Sequence, residues 1–473
     1  MNQVFKKAVI VLVSLQLTAC ASMRIEDFFQ GYAQQMRPVR QATLMGDFPN
    51  ANQKLGEPSS RNTNYVLTLL EKGRLAYLSG NFQQSRAWFE QAYQTIEKER
   101  SGAKVRLSSG VEKFGSLLSN DNAILYQVPA YEQSMMHSYQ ALNYLYLNDL
   151  EGALVEIRRA NLVQEQALRA NEDELIEANE ALGSTGSVDW QHANAAFSSL
   201  NSRVGDIKNG FQNAYTFYIS GILYEAAGQL NDAYIDYKKA LEIFPDNHYL
   251  QQDVLRLAHQ LGMVDDIEVL ERRFGDYQTT TLKNSGQLVI IYEQDLIDAR
   301  IEKGVNLPIF TRHNDFRTFN LALPSYQPTV TPAKPLVLKV NDDVLASEQI
   351  VQLQALVAKQ LTEQMPTMIA RQVLRLAAKE QVRHKLSKEG GDVGNILAGL
   401  YNMASERADT RSWLTLPSDV QLLKIDLVEG QHRVNINAVE GLNEIPVDIT
   451  AGRTTFVMIS RLGQYSQHHV VNL

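Results

Sequence analysis

A single cysteine, Cys20, stands among the 473 residues. With no second thiol, an intramolecular disulfide is excluded, and so is a zinc site built on several cysteines. Glycine and proline are sparse, at 27 and 13 residues, which excludes collagen-like and wholly low-complexity chains. Basic residues are in deficit, 45 Lys and Arg against 53 Asp and Glu, for a formal charge of −8. A chain of that sign lacks the electrostatic footprint for phosphate backbones, so no nucleic-acid partner is expected. Long apolar runs are missing too: the stretch from Ala8 to Leu17 is broken by Ser14 and Gln16 and falls short of the ~20 residues that span a bilayer. What is present is an ordinary globular composition, 44% hydrophobic and 21% charged. It is long enough for two or three domains of about 100–200 residues each.

The apolar stretch has the layout of a secretory signal peptide over residues 1–19, with Lys6 and Lys7 as its positive start. It ends in Leu17-Thr18-Ala19-Cys20, which resembles a bacterial lipobox. That resemblance implies lipid on the Cys20 thiol and cleavage before it. Several acyl chains, at roughly 0.8 kcal/mol per buried CH₂, anchor a protein stably without a transmembrane helix. Ala21 follows, where similarity to known lipoproteins would make Asp the inner-membrane retention signal. The expected location is therefore the outer membrane, lipid-anchored and facing the periplasm.

Residues 214–246 carry a repeat. Gly221, Tyr224, Gly228, Leu230, Ala233, Tyr237, Ala240 and Pro245 fall at the offsets of a tetratricopeptide repeat (TPR), which this segment resembles. Small residues at 221, 233 and 240 let two antiparallel helices approach, Gly228 turns the chain, and Pro245 stops the second helix. Gly262 continues the register in a terminal copy. Two weaker copies lie upstream: Gly73, Gly80, Phe82, Phe89 and Ala92, with Ser85 in place of Ala, and Ala141, Tyr144, Leu150, Ala153, Ile157 and Ala160, with Asn148 in place of the turn glycine. The expected array covers 61–280, after a signal at 1–19 and a tether and lead-in at 20–60. Residues 98–130 read as a long, partly ordered crossing. The excess between copies reads as a helical-hairpin insertion at about 161–212, either a contact arm or a solvated insertion.

Beyond residue 281 the pattern turns toward strands, with apolar runs at Leu288–Tyr292 and Leu336–Val340 separated by a stretch that reads as loop, carrying Pro308, Pro324, Pro328, Pro332 and Pro335. A long helix is expected over about 347–389, kinked at Pro366, followed by a β-rich tail at about 410–473 in which Glu429-Gly430 and Ala451-Gly452 turn hairpins. The fold class is thus an α-helical TPR-like solenoid followed by an α+β domain ending in a small antiparallel β-sandwich. The acidity sits in the array: residues 281–473 hold 20 basic and 20 acidic side chains, and residues 20–280 hold 23 and 33.

Catalytic signatures for zinc proteases, α/β-hydrolases, P-loop NTPases and EF-hands do not occur, so no enzyme, cofactor or metal is expected. The His468-His469 pair reads as chain-end surface histidines. Two polar groupings are candidates. The first, for partner binding, is Tyr131, Glu132, His137, Tyr139, Glu156, Arg158 and Arg159, because the first helix of each TPR lines the concave groove. The second is a basic stripe at strict four-residue spacing, Arg371, Arg375, Lys379 and Arg383, suited to an acidic partner or a lipid surface. The stretch from Asn120 to Asn161, together with Asp409–Pro417, resembles a family of uncharacterised proteobacterial lipoproteins, a resemblance that implies no activity. The function expected is a periplasmic scaffold or adaptor that binds envelope protein partners through a TPR groove. The alternative is an envelope glycan- or peptidoglycan-acting enzyme or glycan-binding protein using the C-terminal domain, with Asp409, Asp419, Glu429 and Glu440 as candidate carboxylates. Oligomeric state is not legible in the sequence.

Overall fold

Aliphatic spacing in the lead-in already dictates structure there. In a computed structural model, the residues described are 31–109, 122, 124–183, 186–188, 197–205, 207, 209–210, 212–277, 282–311, 316–330, 332–341, 343–376, 407–436 and 444–473. The expected signal peptide, lipobox and Cys20 lie outside them. Within the stretch 20–60, expected as a tether and lead-in, the described residues form α1 (Tyr32–Gln35), α2 (Arg37–Leu44) and α3 (Phe48–Leu55). Met36, Val39 and Ala42 recur at helical spacing and are buried. Asp47 caps α3, accepting from Asn50 N at 3.2 Å.

Helical hairpins follow. They are α4 (Tyr65–Leu78) with α5 (Phe82–Ser109), α6 (Ala130–Tyr146) with α7 (Leu150–Gly183), α9 (Ala214–Ala226) with α10 (Leu230–Ile243), and α11 (His248–Leu261) with α12 (Val264–Phe274); α8 is the short Ser198–Val204. The small residues do what the repeat pattern requires. A Cβ on Gly221 would lie 2.4 Å from the Tyr237 ring, and one on Gly73 would lie 2.4 Å from Phe89. Ser85, standing where Ala is usual, is buried and donates to Gly73 O at 2.8 Å, so its hydroxyl is satisfied inside the hairpin. Gly228 turns with φ +74°, and Asn148 takes the same left-handed turn at φ 59°, a conformation Asn tolerates better than most side chains. The expected crossing at 98–130 is helical as far as Ser109.

The insertion is not a free-standing helical hairpin. Its first helix is simply the continuation of α7, after which β1 (Gly186–Val188) pairs antiparallel with β3 (Ile301–Thr311) of the C-terminal half, Ser187 opposite Phe310. Arg203 on α8 donates to Asp298 at 2.7 Å and to Gln354 at 2.6 Å. A Cβ on Gly210 would lie 2.2 Å from the Gln360 backbone. Where described, the insertion therefore clamps the two halves together, and the boundary near 280 is not a physical separation.

The C-terminal half holds more strand than its prolines suggested. The stretch expected as loop contains β3 paired with β4 (Phe316–Ser325), so Pro308 and Pro324 sit in strands. A five-stranded sheet runs β12 (Tyr465–Asn472), β11 (Thr454–Leu462), β2 (Ser285–Gln294), β8 (Asp419–Val428), β7 (Glu348–Val351). A four-stranded sheet runs β10 (Glu444–Ile449), β9 (Gly430–Ile436), β5 (Val337–Val340), β6 (Asp343–Ala346). Their apolar faces share one cluster, including Leu288, Ile290, Leu338, Leu423, Val434, Ile445 and Val457. Two expected hairpins are corrected: β8 and β9, like β10 and β11, are consecutive strands in different sheets, and β11 pairs parallel with β2. The long helix, α13, spans 353–376 among the described residues and continues through Pro366; residues 348–351, expected inside it, are β7. Leu353, Val357, Leu361, Ile369 and Val373 form its buried face.

Candidate functional site

The first helices of the hairpins, α4, α6 and α9, are buried along almost their whole length. Second helices cover one side of them, and the C-terminal half fills the other. The side that lines the concave groove in a TPR array is here packed against this chain's own strand β2 and against residues 407–418, an extended strap that leads into β8.

Four buried charged side chains organise that contact. Glu132 on α6 accepts from the backbone N–H of Trp413 at 2.8 Å and from the hydroxyls of Tyr126 and Tyr131, each at 2.9 Å. Glu71 on α4 accepts from Leu414 N at 2.8 Å, the Thr415 hydroxyl at 2.5 Å and the Tyr32 hydroxyl at 3.3 Å. Arg74, one turn further along α4, donates to Thr415 O at 3.3 Å and to Glu293 of β2 at 2.5 Å. Glu293 also accepts from Tyr139 at 2.6 Å and from Ser460 at 3.0 Å. The Trp413 indole is fully buried, edge-on to Phe89 and Tyr139, with its N–H given to Thr415 at 3.1 Å. Arg411 holds the start of the strap by donating to Asp409 and to Ile124 O at 2.9 Å.

Electrostatics follow from burial. Desolvation pushes the Glu71 carboxyl up to about 7, against the lowering effect of its three hydrogen-bond donors. Glu132 is raised for the same reason, offset in part by the Trp413 amide and Tyr126. These carboxylates hold main-chain amides in a water-excluded core.

The expected partner-binding residues are thus mostly interior. Tyr131, Glu132, His137, Tyr139 and Glu156 are buried, and Tyr131, Glu132 and Tyr139 belong to the network around the strap. His137 pairs with Glu156 at 2.7 Å, which pairs in turn with Arg159 at 2.7 Å, a chain that ties α6 to α7. Arg158 alone of the set is exposed, lying 5.9 Å over the Tyr224 ring. The basic stripe is not one solvated face: Arg371 is exposed, Arg375 is buried, and Lys379 and Arg383 lie outside the described residues.

The candidate carboxylates of the C-terminal half have separate surroundings. Asp409 is held by Arg411 at 2.7 Å, while Asp419 accepts from Gln349 and Gln421 and is raised by burial to about 6. Glu429 is exposed at the crossing from β8 to β9, and Glu440 lies outside the described residues. Among the described residues no group of three or more His, Cys, Asp and Glu could hold a metal ion, and no helix is long and apolar enough to cross a membrane. His469 is not a free surface side chain: its ring packs 4.8 Å from Phe82 and 5.4 Å from Tyr146, and burial lowers its pKa to about 4.

Sequence reasoning missed Glu71, Arg74, Glu293 and Trp413. Charged residues inside the otherwise apolar run Tyr65–Leu78 were the available signal, because a charge in a helix buried all round needs a partner.

Successive helical hairpins with small residues at the crossing points, joined to largely antiparallel sheets, define a protein of TPR-like character. No protein-family model matches the chain, and no curated protein matches it. Among solved structures it is similar to MamA, at 13% identity over 50% of this chain and 92% of that one, with a TM-score of 0.28. It is also similar to the TPR2AB domain of yeast Sti1 in its pHSP90 complex, at 11% identity over 50% of this chain and 87% of that one, with a TM-score of 0.19.

Proposed function

We propose that this protein is a lipid-anchored periplasmic scaffold that binds protein partners in cell-envelope assembly or regulation, and that it is not an enzyme. One observation carries the reading. The charged residues at the heart of the array are spent on the backbone of the strap, which joins the two halves and leaves the outer faces of the second helices as the array's open surface. An array sealed on its inner side is a platform: it holds a composite surface in fixed shape at the membrane, where the Cys20 lipid would tether it. The acidity of the array suits partners with basic or amphipathic segments.

The test is in-cell crosslinking of the lipidated protein, followed by mass spectrometry of what co-purifies, with Cys20→Ala as the control. A discrete envelope protein recovered with wild type, and a shift of Cys20→Ala out of the membrane fraction, are expected. Absence of any protein partner, or unchanged membrane association of Cys20→Ala, overturns it.

A polar cleft supports a second reading, glycan binding by the C-terminal half. About 600 Å³ opens between the last hairpins and the five-stranded sheet, with Arg256, Gln287, Asp426 and Arg453 on its walls. Retention of the protein on peptidoglycan, lost in Asp426→Ala with Arg453→Ala, would favour that reading over the scaffold.

A further inference from the structure

We propose that the cleft between α7 and α10, on the outer face of the array, is a docking site for an amphipathic helix whose aliphatic stripe is bordered by Lys or Arg. The proposal rests on the scaffold reading and names the surface and the partner chemistry.

The cleft encloses about 410 Å³, with Tyr224 of α9 at its floor. Its two aliphatic shoulders come from separate helices. Leu162 on α7 is 51% exposed and Ile235 on α10 is 50% exposed. Val155, 40% exposed, lies two turns before Leu162 and extends the same stripe along α7. A groove between two helices with apolar shoulders is the geometry in which a partner helix lays its apolar face, reading anchors at successive turns.

Charge specifies the border of that helix. Lys239 reaches two carboxylates, Glu165 across the cleft at 3.6 Å and Asp236 at 3.5 Å on its own helix. Asp236 is buried and further held by Ser220 at 2.5 Å and Asn161 at 2.7 Å. Arg158 lies over the Tyr224 ring. Asp232, in the first turn of α10, also lines the cleft, so that its three carboxylates, Glu165, Asp232 and Asp236, outnumber its two cations, Arg158 and Lys239, and leave an excess of negative charge beside the apolar shoulders. A Lys or Arg next to the buried aliphatic anchor of the partner would meet it. The sign agrees with the array as a whole, which carries 29 acidic against 19 basic residues over 61–280.

The experiment uses the purified full chain and two synthetic helical peptides of one Leu pattern, one bordered by Lys and the other by Glu, followed by fluorescence anisotropy. The Lys peptide is expected to bind and the Glu peptide not to. Leu162→Asp and Ile235→Asp, both at exposed positions, should each weaken binding by about tenfold or more, in the manner of central anchors. Asp232→Asn should weaken it by about threefold and flatten its salt dependence. Val269→Asp, at an exposed apolar site on α12, should leave it unchanged. Equal binding of the two peptides, no binding of either, or equal losses from Val269→Asp and Leu162→Asp would overturn the assignment. The two readings fail separately. A crosslinked envelope partner that survives Leu162→Asp with Ile235→Asp leaves the scaffold standing and removes this site. Peptide binding that obeys the variants, with no partner found in the cell, keeps the site and removes the envelope role.

Discussion

Arg74 of the first hairpin and Glu293 of the central strand β2 form an ion pair at 2.5 Å, 219 residues apart in sequence and both buried. The pair is the point at which the helical array and the five-stranded sheet become one core. Removing one partner leaves an uncompensated charge away from water. Arg74→Ala should therefore cost about 3–5 kcal/mol, and Arg74→Met with Glu293→Met should recover much of that loss. Urea unfolding followed by far-UV and near-UV circular dichroism checks this. One coincident transition is expected for both signals; an array that melts separately would contradict a shared core.

A second prediction concerns pH. Glu71 has its pKa raised from 4.5 to about 7 in the folded chain, so its contribution to stability is complete below 4.5 and is lost as pH rises through 7. Asp419, raised from 3.8 to about 6, acts with the same sign. His469, lowered from 6.5 to about 4, acts with the opposite sign: its contribution is present above 6.5 and is lost as pH falls through 4. Between pH 5.5 and 8 the Glu71 effect should dominate the difference between wild type and Glu71→Gln. The fall in stability with rising pH should shrink in the variant by on the order of 2 kcal/mol, read from denaturant midpoints at the two pH values.

The turns offer a third test. Gly221→Val would drive a side chain into the Tyr237 ring and should cost about 1–3 kcal/mol or more. Asn148 holds a left-handed turn at φ 59° that glycine adopts without steric penalty, so Asn148→Gly should be neutral or stabilising by up to about 1 kcal/mol, and Asn148→Val should be destabilising. Thermal melts of the three variants would separate the two effects. Equal losses from Asn148→Gly and Asn148→Val would count against the turn geometry.

The strap supplies a fourth. Trp413→Ala removes a fully buried indole and should cost about 3–5 kcal/mol. With Trp88 and Trp190 replaced by Phe, emission from Trp413 should be blue-shifted and protected from iodide. An iodide-quenched, red-shifted signal would mean that the strap does not fill the groove.

The repeat was legible because its determinants are local. Gly221 and Tyr237, or Gly73 and Phe89, lie within one hairpin, and their spacing records the contact. The sealed groove was not legible, because Glu132 meets Trp413 across 281 residues and no short-range pattern encodes such a pairing. Tyr139 and His137 were correctly placed on a first helix, yet that face meets this chain rather than a ligand. In the C-terminal half, Ile350 and Leu353 looked like successive turns of one helix, although Ile350 belongs to β7 and Leu353 begins α13. Both are fully buried, and burial in a short apolar run does not distinguish strand from helix. Pro308 and Pro324 argued for loop, but both lie within the β3–β4 pair.

The bond from the Leu414 amide to Glu71 spans 343 residues, which sets a timetable for the newborn chain. A polypeptide made from its amino end presents the first hairpin long before the segment that satisfies it. Until that segment emerges, Glu71 and Glu132 have only water or a caretaker protein to solvate them. Synthesis therefore passes through an interval in which the array is made but unfinished, and the arrival of the strap decides when it ends.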